Sequence, residues 1–246
     1  MRKLKRLDLS QGAHSFLERR TEKISAKALP ADRVEEAKRL WDFKKNKAFK
    51  EIRETLCLMA SGIERCMYCE DSAGTDIEHF WPKGTYPLKA FQWENYLLAC
   101  SSCNSNYKRT EFPLDSSDQP LLINPVEEEP RHHIAFSPST GKYSKLTDKG
   151  FESIRVYGLN RNNLTLGRRD AWVSTQVHII QYGRCRDNGN LEKSQRIEEV
   201  ICRFPHSSVF IELLDIIDSP DAELWIDTEC VQTMRQYPEI RNWLPS

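Results

Sequence analysis

Two Cys-x-x-Cys pairs, Cys66/Cys69 and Cys100/Cys103, bracket the segment Asp76-Ile-Glu78-His79, and asparagines stand at positions 95 and 104. Each cysteine pair can present two thiolates to one side of a tetrahedral zinc ion. Four thiolates fill that coordination, so the site they imply is closed and structural. The paired spacing sets these four apart from Cys57, Cys185, Cys202 and Cys230, which are scattered and read as small, half-buried apolar residues. A thioredoxin-like redox motif is disfavoured, because no βαβ pattern surrounds either pair.

Zinc alone does not imply catalysis, since many four-cysteine modules only bind nucleic acid or protein. The residues between and after the pairs carry any enzymatic reading. Thr75–Phe80 alternates polar and apolar as a short strand does. Adjacent strand residues point to opposite faces, so Glu78 and His79 reach one site only at a twisted or bulged strand end. Asp76 shares the strand parity of Glu78 and is a rival ligand. Trp81-Pro82 ends the pairing, a loop runs through Gly84 and Pro87, Trp93–Ala99 leads into the second pair, and Asn104–Lys108 opens a helix.

This constellation resembles the HNH endonucleases, whose ββα-metal core often carries a double zinc knuckle. Their pattern is C-x-x-C, then acid-His, then Asn-Leu, then C-x-x-C-N with a lysine four residues later. Here it reads Cys66 and Cys69, Glu78-His79, Asn95 (followed by Tyr96 in place of the usual leucine), Cys100 and Cys103, Asn104 and Lys108. The resemblance implies that His79 is the general base and that Glu78 and Asn104 bind a catalytic divalent ion. It also implies that Asn95 holds the loop that orients His79. Many members carry histidine at the position of Asn104. A neutral amide oxygen there suits magnesium or manganese better than zinc or nickel.

The chemistry is consistent with that implication. An imidazole of ordinary pKa near ~6.5 is a suitable base at neutral pH. An ion held by one carboxylate and one amide keeps open positions for phosphate and water. Lys83, Lys108 and Arg109 are the expected phosphate contacts. Taken alone, His79 reads rather as a surface or packing histidine, and only its place after Glu78 and between two cysteine pairs favours catalysis; Asn95 reads equally as an ordinary turn residue. His132 and His133 read as loop residues, His178 and His206 as helix-surface or packing residues, and His14 has no assigned role.

The segment that follows narrows the resemblance. Leu121–Pro125, the acidic run ending at Pro130, His133–Phe136, Gly141 and Ile154 through Gly158-Leu-Asn-Arg161 resemble the HNH subunits of Septu-type anti-phage systems (PtuB-like), also found beside some retrons. That resemblance covers roughly residues 60–170 and implies an SMC/ABC-like ATPase partner and degradation of nucleic acid during infection, with DNA favoured over RNA. The rival functions are a ribonuclease, such as a tRNA-cleaving enzyme, with the same site, and a non-catalytic zinc module that recruits a partner.

The elements that must position these residues are mostly helical. After Pro30, Asp32 and Glu35 have capping-box spacing. Val34, Ala37, Trp41, Ala48, Ile52, Leu56 and Met59 then predict one long amphipathic helix ending near Ser61–Gly62, with its apolar stripe in the core. Its other face carries Lys38, Lys44, Lys45, Lys47 and Lys50, which can track a phosphate backbone. Ile134–Phe136 and Lys142–Leu146 read as strands around a turn. Asn162–Tyr182 reads as a helix with Gly183 as its C-cap, Leu191–Phe204 and Ser207–Ile217 as two more, and Ser219-Pro220 as the opening of a last one. The expected architecture is mainly α with a small α+β core, a ββα-metal HNH core with structural zinc embedded in surrounding helices. Residues 1–60 form a basic helical region, 61–125 the nuclease core, and 126–246 a mostly helical region that is the expected partner surface.

Charge is unevenly placed along the chain. The 246 residues sum to zero net charge, but residues 1–60 carry +7, 61–120 carry −4, 121–190 carry +3 and 191–246 carry −6. A basic block suits phosphate and an acidic one a protein partner, although on charge alone a solvated surface is the favoured reading of both. Mean hydropathy of −0.63 and the lack of a long apolar run argue against a membrane span. The basic start has no apolar h-region, so the expected compartment is the cytoplasm.

Overall fold

The computed structural model describes residues 1–44 and 46–244. Three helices come first: α1 (Gln11–Ser25), α2 (Pro30–Asp42) and α3 (Lys47–Met59). They precede an antiparallel hairpin of β1 (Asp76–His79) and β2 (Tyr96–Ala99), followed at once by a π-helical segment, Ser102–Lys108. A second hairpin pairs β3 (Ile134–Phe136) with β4 (Tyr143–Lys145). Five helices complete the chain: α4 (Asp148–Val156), α5 (Asn162–Asp187), α6 (Leu191–Arg203), α7 (Ser208–Ile216) and α8 (Thr228–Gln236). The mainly helical class with a small α+β core is as expected.

The single long helix expected up to Ser61–Gly62 is two helices. Asp32 is not a cap: α2 starts at Pro30 after Leu29, and Asp32 lies in its first turn, where its charge complements the helix dipole. The Arg20 guanidinium of α1 donates to the carbonyls of Leu40 and Phe43, which closes the C-terminal end of α2. Asn46 then restarts the helix, its side chain accepting from the Phe49 N–H at 3.1 Å. Trp41, Phe49, Ile52, Leu56 and Met59 are buried, so the apolar stripe does pack into the core, and α3 lies against β2.

Two expectations near the C-terminal end are corrected. Gly183 is not a C-cap, since α5 continues to Asp187. Gly183 is instead where α8 approaches closely: a Cβ there would stand 2.7 Å from Thr233 Cγ2. Ser219-Pro220 opens no α-helix; α8 begins at Thr228, capped by the Asp227 side chain, which accepts from the N–H groups of Glu229 and Cys230. Buried apolar residues form one cluster from Met1 to Leu164 and a second from Ala171 to Trp243. Phe136 packs against both, and α5 runs from the first into the second. No helix among the described residues is long and apolar enough to cross a membrane.

Candidate active site and metal centre

The first cysteine pair sits in a tight turn in which the Glu70 N–H donates to Cys66 O at 2.9 Å. Met67 N–H donates to Leu98 O at 2.8 Å and ties that turn to β2. The second pair follows β2 directly, with Cys103 inside the π-helical segment. All four cysteines are buried, and their Sγ atoms lie within 4.8 Å of one another. Cys69 and Cys100 Sγ are 3.8 Å apart. A tetrahedral ion with Zn–S bonds of about 2.3 Å spaces its sulfurs about 3.8 Å apart, so the donor set fits zinc in kind and in size.

The Gly158-Leu-Asn-Arg161 segment supports this centre from outside. An Arg161 Nη donates to Cys103 Sγ at 3.4 Å, a positive charge beside a cluster of thiolates. The approach needs Gly158, which has φ +60, and a Cβ there would lie 2.3 Å from the Tyr107 ring. We expect Gly158→Ala to lower the melting temperature by about 2–8 °C from the left-handed backbone cost alone. An unchanged thermal melt would remove Gly158 from this supporting role.

β1 and β2 pair in regular register, Glu78 opposite Leu97 and His79 opposite Tyr96. No bulge is needed to bring Glu78 and His79 to one place, because His79 is the last residue of the strand. On one face of β1, Asp76 and Glu78 meet the π-helical segment. Asn104 Nδ2 donates to Asp76 Oδ2 at 3.0 Å, and Lys108 Nζ stands 2.6 Å from Glu78 Oε1. On the other side, the His79 ring lies against Trp41 of α2, centroid to centroid 4.1 Å. The two sides open into one cleft of about 470 Å³ whose lining includes Asp76, Glu78, His79, Lys83, Asn104 and Arg109.

His79 is buried and its protonation is constrained. Nε2 is 3.0 Å from Ala90 O, and a carbonyl only accepts, so Nε2 carries the proton and Nδ1 is the basic nitrogen. The ordinary pKa expected from the sequence does not hold: burial, then the nearby Lys83 ammonium, push it down to about 3, against the Ala90 hydrogen bond that raises it, so the imidazole is uncharged at neutral pH. The Tyr96 hydroxyl also donates to Ala90 O, at 2.7 Å, so the departure from the usual leucine adds a second donor at the carbonyl that orients the base. Asn95 clamps the same loop: Oδ1 accepts from Trp81 N–H at 2.6 Å, and Nδ2 donates to Trp81 O and Lys89 O at 3.0 and 2.9 Å.

The charged residues divide differently from expectation. Lys108 is not a surface cation for phosphate, being 1% exposed and committed to Glu78 and to His79 O at 2.9 Å. Burial pushes the Glu78 carboxyl pKa up, and Lys108 opposes that shift. Lys83 is half-buried in the cleft wall and Arg109 is exposed at its mouth, while Lys44 joins the lining from the end of α2. Lys38, Lys47 and Lys50 are exposed; Lys45 lies outside the described residues. The sequence reading missed Trp41, Tyr96 and the Ala90 carbonyl as parts of the site. Their only signals were an apolar periodicity and one departure from a motif.

No protein-family model matches the chain. Two curated bacterial proteins are similar to it. A Septu protein PtuB of Bacillus mycoides (strain KBAB4) is 32% identical over 161 residues, covering 53% of this chain and 54% of that protein. A Septu protein PtuB of Bacillus thuringiensis is 35% identical over 111 residues, covering 43% of this chain and 40% of that protein. The chain thus spans about half the length, or less, of the curated relatives it matches, and the expected similarity to Septu PtuB proteins is found.

Proposed function

We propose that this chain is a metal-dependent endonuclease of the HNH type, hydrolysing phosphodiester bonds, with DNA favoured and RNA the alternative substrate. The observation that carries the reading is the convergence, in one cleft, of a buried imidazole with its Nε2 proton assigned and a face of oxygen donors. Lys83 and Arg109 add positive charge at the same cleft. Similarity to Septu PtuB proteins supports a role as the nuclease effector of an anti-phage defence complex governed by an ATPase partner. On this reading residues 1–60 mount the core, 61–125 carry the chemistry and the acidic part of 126–246 meets the partner.

His79 Nδ1 accepts a proton from the attacking water, and the Ala90 carbonyl steadies the imidazole as it gains charge. Lys83 and Arg109 grip the phosphate. Asp76, Glu78 and Asn104 fit a hard cation: two carboxylates and one amide, whose NH2 group is spent on Asp76 so that its oxygen remains to bind. A magnesium or manganese ion held by Asp76, Glu78 and Asn104 together would supply charge neutralisation for the phosphate. Of the two carboxylates, Glu78 is already neutralised by Lys108, whereas half-buried Asp76 forms no ion pair among the described residues. Calorimetric titration with Mn²⁺ separates them. Asp76→Asn is expected to weaken binding at least tenfold, and Glu78→Gln to weaken it less. The reverse order would make Glu78 the dominant ligand.

The direct test is hydrolysis of labelled DNA and of labelled RNA in Mg²⁺ or Mn²⁺, by the chain alone and with its partner ATPase. Cutting of either polymer is the expected result. If neither is cut in any arm, the zinc-module alternative replaces the enzyme.

A further inference from the structure

The cleft has a wall that the zinc-stapled segment does not supply. Trp41, in the last turn of α2, is nearly buried yet lines the cleft beside His79. The His79 ring is anchored at one atom by Ala90, and a single hydrogen bond does not fix the plane of a ring. Two rings add to that anchor: Tyr96 meets it edge to face at 5.4 Å and 80°, and Trp41 makes the closer contact, at 4.1 Å between centroids and 57° between planes. Trp41 is itself firmly seated, edge-on to Phe49 at 5.3 Å and against Tyr96 at 5.6 Å. Arg20 holds the backbone on either side of it through Leu40 and Phe43. Two ammonium groups then rest over the indole, Lys44 Nζ at 4.6 Å and Lys83 Nζ at 5.5 Å from the ring centroid, inside the range of cation–π attraction.

We propose that Trp41 is a positioning residue of the cleft: its indole, packed with the Tyr96 ring, sets the plane of the His79 ring and holds the ammonium groups of Lys44 and Lys83 where a phosphate enters. The N-terminal helices therefore complete a catalytic cleft that the segment Cys66–Lys108 leaves open on one side. This inference rests on the nuclease reading above. It assigns to α2 a share in the reaction, beyond mounting the core. Two lysines held on an aromatic face lose less freedom when they bind phosphate than two lysines free in solvent, and an imidazole held in one plane meets its water in one geometry.

The test uses the full chain, with its partner where cutting requires it, as Trp41→Leu, Trp41→Phe, Lys44→Ala and the Trp41→Leu/Lys44→Ala double variant. Trp41→Leu is expected to lower kcat by roughly 10²-fold, as a misaligned catalytic group does, with zinc content unchanged. Trp41→Phe restores most of that loss, because a ring again faces the imidazole. Lys44→Ala raises KM for the polymer, and adds little in the Trp41→Leu background, since both changes release the same ammonium group. Relaxation of a ¹³C-labelled His79 ring is measured alongside; it shows an ordered imidazole in the wild type and in Trp41→Phe, and a mobile one in Trp41→Leu. Wild-type kcat and ring order in Trp41→Leu overturn the proposal, as does a loss of activity that only matches the unfolded fraction. If the wild type cuts neither polymer, the nuclease reading fails on its own, and the ring relaxation still decides whether Trp41 orders His79.

Discussion

Alanine at position 79 is expected to abolish detectable cleavage while leaving the fold and the zinc content intact. A general base contributes about 10²–10⁴-fold to such a reaction, and among the described residues that line the cleft His79 is the one histidine. The stability cost is smaller than the catalytic one. Emptying the space beside Trp41 and leaving Ala90 O to Tyr96 alone costs about 1–3 kcal/mol, against a typical total of about 5–15 kcal/mol. The measurement is single-turnover hydrolysis of DNA and RNA by wild type, His79→Ala and His79→Gln, with circular dichroism and zinc content in parallel. Wild-type cleavage by a folded His79→Ala protein would remove the imidazole from the mechanism.

Cys100→Ser is expected to have the larger effect on the fold. Closed zinc sites contribute on the order of 10–16 kcal/mol of apparent folding energy in small domains, as much as or more than the whole net stability of a domain. The loss also falls at a critical joint. Cys100 directly follows β2, and its carbonyl accepts from Asn104 N–H at 3.0 Å, so the same residue anchors the segment that delivers Asn104 and Lys108 to β1. Without that anchor Glu78 is left buried without its cation, a further penalty of about 3–5 kcal/mol. The expected outcome is an insoluble or molten protein with little bound zinc, and strong chelation of the wild type should reproduce it. A soluble Cys100→Ser protein with unchanged zinc content would show that the four thiolates are not a metal centre.

The residues of the cleft differ in how far the chain announced them. The four cysteines could be paired by spacing because both pairs lie in tight turns, where neighbours in sequence are neighbours in space. β1 is legible from alternation and from Pro82, and the second hairpin from the turn between its strands; β2, Tyr-Leu-Leu-Ala buried on both faces, has no alternation and reads only as the lead into the second cysteine pair. The break between α2 and α3 was missed although Asn46 is a good cap, because three- and four-residue apolar steps continue across it. Lys108 was misread as a phosphate contact because sequence shows a charge and not its burial. Trp41 was counted with the core, which is where most of its ring lies; the small part that faces the cleft leaves no trace in periodicity.

By itself, then, the sequence determined the mainly helical class, the short segment in which ligand-type residues concentrate, and the oxygen and sulfur donors available there. These are consequences of local spacing and of side-chain chemistry. Tertiary structure alone decided that Lys108 neutralises Glu78, that Ala90 and Tyr96 orient His79, and that α2 walls the cleft with Trp41 and Lys44. Each of those is a contact between segments whose meeting depends on how the helices pack against the hairpin, and burial, which turns a charge into an ion pair and a histidine into a neutral base, exists only once they have met.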